Sequence, residues 1–94
     1  MRAGLLTVTL YLPGVHSLKE KRSILKPLIN HVARLGPAIG IAEVGLHDDL
    51  TRAMVRIVHL STDPRRTESV LEKVRANLGE GRRFVIEDSD LELL

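Results

Sequence analysis

Leu6, Val8, Leu10 and Leu12 alternate with Leu5, Thr7, Thr9 and Tyr11, the period-two pattern of a strand with one buried face. Pro13-Gly14 ends this run, and Ser17 follows with Glu20 three residues on, the spacing of a helix N-cap and its capping box. Between Leu18 and Leu35 the apolar residues Leu18, Leu25, Leu28, Ile29 and Val32 fall on one helical stripe, and Gly36-Pro37 stops the helix. Pro27 lies inside it. It removes one backbone hydrogen bond and predicts a bend on the solvent side, because it stands opposite Leu18 on the helical wheel.

Ala38–Leu46 and Arg52–Leu60 read as a second and a third strand, joined by His47-Asp48-Asp49-Leu50 as a hairpin of short-loop length. Asp63-Pro64 is a helix start, with Asp as cap and Pro at the first helical position. The second helix carries Val70, Leu71, Val74 and Leu78 on its buried stripe and ends at Gly79. Arg83–Leu94 is the last strand. Its apolar parity changes from Phe84 and Ile86 to Leu91 and Leu93, which predicts a bulge or break between Glu87 and Asp90. The order βαββαβ is that of the ferredoxin-like α+β sandwich. With right-handed crossovers it predicts a four-stranded antiparallel sheet of order 4-1-3-2, both helices on one face, and residues 1–94 in a single domain.

Composition narrows the function classes. Fourteen Lys and Arg face 12 Asp and Glu, for a formal net charge of +2, so an argument for nucleic-acid binding rests on local clustering. The absence of cysteine rules out disulfides and thiolate metal sites. Residues 1–12 superficially resemble a signal peptide, but Thr7, Thr9 and Tyr11 alternate through them and no small-residue cleavage site follows. No stretch approaches the roughly 20 apolar residues of a membrane span, and a cytoplasmic protein without membrane contact is expected. Tyr11 and Phe84 are the only aromatic residues, too few for a base-stacking platform.

The chemistry concentrates where the topology brings His16–Arg22, His47-Asp48-Asp49 and Gly79–Arg83 to one end of the sheet. Lys19, Lys21 and Arg22 crowd a helix N-terminus, which already carries the positive end of the macrodipole. Lys19, Lys26, Asn30 and Arg34 form a polar strip on the wheel, whereas Lys21 falls inside the apolar arc and Arg22 borders it. Two arrangements satisfy this. The cations pair with Glu43, Asp48 or Asp49 and close the end of the sheet, or Lys19, Lys21, Arg22, Arg82 and Arg83 form a notch for a phosphate or another anion.

His16, His31, His47 and His59 lack metal-ligand spacing, and there is neither a nucleophile elbow nor a phosphate-cradling glycine loop. No catalytic residue, metal or cofactor is implied. The open sheet face is expected to show Thr7, Thr9, Tyr11, Arg52, Met54, Arg56 and Val58. Tyr11, Met54 and Arg56, with Leu91 and Leu93 on the last strand, are candidates for an interface between two copies or with a partner protein.

Pro13-Gly14, His16-Ser17-Leu18-Lys19-Glu20-Lys21-Arg22, Leu25-Lys26 and Ala42-Glu43-Val44, followed by an acidic hairpin, resemble the YlxP-like family of small bacterial proteins of unknown function. The resemblance runs through nearly the whole chain and implies a ferredoxin-like fold. Genes of that family often lie among those for transcription and translation factors, which implies a partner such as RNA or a ribosome-associated factor. Pro27 departs from the family, which more often has a good helix former there.

Overall fold

The computed structural model describes residues 2–94. Six elements follow one another: β1 (Arg2–Tyr11), α1 (Leu18–Ala33), β2 (Ile39–Glu43), β3 (Arg52–Ser61), α2 (Pro64–Gly79) and β4 (Val85–Leu93). The strands form one sheet of order β2-β3-β1-β4, with every neighbouring pair antiparallel. This is the ferredoxin-like arrangement that the alternation of strand and helix patterns predicts.

The core lies between the sheet and the helices. Leu6, Val8 and Leu10 of β1 and Ala53, Val55 and Ile57 of β3 have no exposed surface; Leu25, Leu28 and Val32 of α1 and Leu71, Val74 and Leu78 of α2 complete the core. Gly4 of β1 lies where α2 crosses closely, and a Cβ there would collide with Thr67 Cγ2 and Leu71 Cδ1. Ser17 caps α1, its Oγ accepting the Glu20 N–H at 3.1 Å. Asp63 caps α2 by accepting the Arg65 N–H at 2.9 Å.

Two local departures from the sequence pattern have physical causes, and one predicted irregularity takes a definite form. The buried stripe of α1 is Lys21, Ile24, Leu25, Leu28 and Val32, so the helix is turned to bring Lys21 inward while Leu18 stays largely exposed. β2 stops at Glu43, because Gly45 and Leu46 adopt φ of 71° and 57°, a left-handed conformation that ends extended backbone. The β2–β3 connection therefore spans residues 44–51 rather than a short hairpin loop. The predicted irregularity in β4 is a bulge: Thr9 pairs with Asp88 and Leu10 with Ile86, leaving Glu87 unmatched. Pro27 is exposed and α1 continues through it.

Candidate functional site

Lys21 closes the first turn of α1, its N–H bonded to the Ser17 carbonyl at 3.0 Å, and is only 2% exposed. Its Nζ donates to the carbonyl oxygens of Leu46 at 2.8 Å and Asp49 at 2.6 Å, and lies 3.8 Å from Glu43 Oε2. Three groups of the β2–β3 segment thus surround one ammonium. The left-handed Leu46 is a conformation that costs of order 1–3 kcal/mol and persists where neighbours hold it; the Lys21 bond is one such restraint.

Asp49 fixes the other side of the loop. Its Oδ1 accepts the Thr51 N–H at 2.9 Å, the Thr51 hydroxyl at 3.2 Å and the Arg52 N–H at 3.1 Å. These bonds, the Thr51 N–H foremost, hold its carboxyl below the usual 3.8. Asp49 therefore meets Lys21 through its main chain, not its carboxylate. Lys21 has its donors engaged inside the protein and drops out of any external anion site.

The other cations stay outside. Lys19 and Arg22 are exposed and line, with Lys26 and Arg34, a shallow groove of about 580 Å³ on the outer side of α1. None of these four has a carboxylate within ion-pair distance among the described residues, where the ion pairs involve Lys21, His47, Arg52, Arg75 and Arg83. Arg83 approaches α1, its NH2 3.6 Å from Glu20 Oε1. Arg82 and Arg83 line a second groove, which also touches Ser23, Pro27, His31 and Phe84. So Arg82 and Arg83 flank the start of α1, as the topology implies. The continuous feature is nevertheless the stripe Lys19–Arg22–Lys26–Arg34, not a notch at the helix start.

The candidate interface residues divide between two faces. Tyr11, Met54 and Arg56 share the open face, where Arg52 lies over the Tyr11 ring at 5.6 Å and donates to Glu87 Oε1 at 2.9 Å. That bond lowers the Glu87 pKa and raises that of Arg52. Leu91 and Leu93 pair with Leu6 and Gly4 and so belong to the helix-bearing face. Leu91 packs against the core and is largely covered already.

Two features escaped the sequence reading. His59 Nδ1 and Thr67 Oγ1 lie 3.1 Å apart as a buried polar pair between β3 and α2. Parity was the available signal, since His59 continues the inward series Ala53, Val55 and Ile57. His31 Nε2 meets Asn77 Oδ1 at 3.1 Å and ties α1 to α2. His47 Nδ1 lies 3.6 Å from Glu43 Oε2, and no group of three metal-capable side chains occurs among the described residues. Nor is any helix there long and apolar enough to cross a membrane.

A family described as "protein of unknown function (DUF503)" matches residues 3–93. The chain belongs to that family. It is a family of unknown function, the kind of relationship that the Ser17–Arg22 block implies. No curated protein matches the chain. Among solved structures, the structural-genomics protein YJCS is 12% identical over 96% of each chain, with a TM-score of 0.58. A designed protein with a ferredoxin fold, LFR1 1, is 15% identical over 100% of this chain and 84% of its own, with a TM-score of 0.50. At such identities the likeness is one of fold alone.

Two predictions follow from the end of the sheet. Lys21→Met keeps the aliphatic stem but leaves the Asp49 carbonyl without its donor, while the Leu46 carbonyl keeps the Asp49 N–H, and should lower stability by about 1–3 kcal/mol in urea unfolding. Lys19→Met should stay within about 0.5 kcal/mol of the unsubstituted protein; equal losses would contradict the inward role of Lys21. Because the Asp49 pKa is depressed on folding, its contribution is full above 3.8 and is lost as the pH falls through the lower folded value. Urea midpoints followed down to about pH 2 should therefore drop more steeply for the unsubstituted protein than for Asp49→Asn, which cannot titrate there. Parallel acid profiles would refute this.

Proposed function

We propose that this chain is a non-enzymatic accessory protein, of the YlxP-like kind, that binds structured RNA or the RNA of a ribonucleoprotein through phosphate contacts. The observation that carries the reading is the row Lys19, Arg22, Lys26 and Arg34 on one face of α1 without carboxylate partners among the described residues. Like charges three and four residues apart on a helix are destabilising by a few tenths of a kcal/mol per pair. Lys19 and Arg22 also sit at the helix end that repels cations. A polyanion laid along α1 relieves both.

From Lys19 to Arg34 the helix rises about 22 Å, long enough to follow several phosphates. Arg82 and Arg83 flank the same end. Recognition by phosphate rather than by base stacking fits the covered Tyr11 ring and the lack of other aromatic residues on the sheet. Such binding is largely independent of sequence and governed by shape and charge.

Titration with fragments of ribosomal RNA should give an affinity that falls with salt, with a slope of log K against log salt near −3 to −4 for four phosphate contacts. Arg22→Ala and Lys26→Ala should each flatten that slope by about one unit. Lys21→Met, with its ammonium on the other side of the helix, should leave it unchanged. Absence of salt-dependent binding at low ionic strength would end this reading.

A further inference from the structure

Beside the cationic stripe lies the second groove, of about 410 Å³, between α1, the C-terminal end of α2 and the segment 80–84 that leads into β4. That volume falls within the range of small-molecule sites. Ile24, Pro27, Leu28 and Phe84 give it apolar walls. Ser23, Pro27 and His31 line both this groove and that of the stripe, so the two share a rim. A strand held by its phosphates on the stripe therefore has a slot for a flat, largely apolar group beside it.

The polar groups around the slot lean toward acceptors. Pro27 has no N–H, so the Ser23 carbonyl lacks its regular helical donor where both residues line the shared rim. Glu80 is exposed and brings a carboxylate to the lining. His31 engages Asn77 Oδ1 through Nε2 at 3.1 Å; an amide oxygen only accepts, so the neutral ring keeps Nδ1 as an acceptor. The donors are the Asn77 amide and two arginines. Arg83 faces Glu20 at 3.6 Å, whereas Arg82 has no carboxylate within ion-pair distance among the described residues.

We propose that this slot takes one unpaired base of a bound RNA and prefers a base with an exocyclic amino group. The inference rests on the phosphate reading above and narrows its partner to RNA with a bulged or looped-out nucleotide. An unpaired base has apolar faces and polar edges and can be splayed out of its strand into such a slot. Adenine and cytosine offer amino hydrogens to the Ser23 carbonyl, Glu80 and His31. Uracil, like thymine, carries an oxygen there and sets acceptor against acceptor. Arg82 is left to meet the phosphate of the inserted nucleotide. With mostly aliphatic walls the slot is no stacking platform; it adds one point of base recognition to contacts otherwise independent of sequence.

Three RNA hairpins of matched stem test this: one fully paired, one with a single bulged adenosine and one with a single bulged uridine, each titrated over a series of salt concentrations. The adenosine bulge should bind about tenfold more tightly than either of the others, as one good base contact allows. Pro27→Ala returns an N–H to the Ser23 carbonyl, and Glu80→Gln removes the carboxylate. Both positions are exposed, and circular dichroism establishes that the variants are folded. Each should lower the ratio of adenosine to uridine affinity at least about threefold, a ratio that a uniform change in charge does not move. Salt-dependent binding that is equal for paired and bulged RNA overturns this inference and leaves the phosphate reading standing. No salt-dependent binding to any hairpin overturns both. A bulge preference that ignores the base, or that survives both substitutions, overturns the placement of the base in this slot.

Discussion

Two carbonyl groups of the β2–β3 loop, those of Leu46 and Asp49, turn toward the end of the sheet, where the Lys21 ammonium donates to both. The Leu46 carbonyl also accepts the Asp49 N–H at 3.1 Å, whereas the Asp49 carbonyl relies on Lys21, and leaving such a group without a donor costs about 1–3 kcal/mol. Its stem lies in the apolar stripe of α1 beside Ile24 and Leu25, and its charge is offset by Glu43. One side chain thereby joins the first helix, the end of β2 and the approach to β3. The left-handed turn at Gly45 and Leu46 is held by this junction together with the Asp49 N–H bond to the Leu46 carbonyl.

This use of Lys21 divides the cationic start of α1 by function. Ser17 caps the helix, Glu20 faces Arg83, and Lys21 belongs to the fold. Lys19 and Arg22 continue outward into a stripe with Lys26 and Arg34. The molecule therefore turns a basic helix face outward on one side, while on the open face of the sheet Arg52 and Glu87 already pair with each other.

Much of this was legible in the residues. Strand alternation, the caps at Ser17 and Asp63 and the parity change in β4 specify the topology and even the bulge at Glu87. Pairing of the cationic helix start with the acidic hairpin was one of two arrangements open from the sequence. What decides between them is not periodic. It depends on the left-handed backbone at Leu46, which turns main-chain carbonyls rather than the Asp48 or Asp49 carboxylates toward Lys21. Carbonyl orientation in a loop leaves no trace in side-chain pattern. The partner of His59 was hidden for a related reason, since Thr67 occupies an apolar stripe on a helix whose facing strand is known only once the sheet is assembled.

The direct test is the reactivity of each lysine amine in the folded protein. With a limiting amine-modifying reagent and mass spectrometry, Lys19, Lys26 and Lys73, all exposed, should react readily. Lys21 should stay protected until denaturant unfolds the chain. If Lys21 in the folded protein reacts as fast as Lys19, its ammonium is not held by the loop carbonyls, and this account of the end of the sheet is wrong.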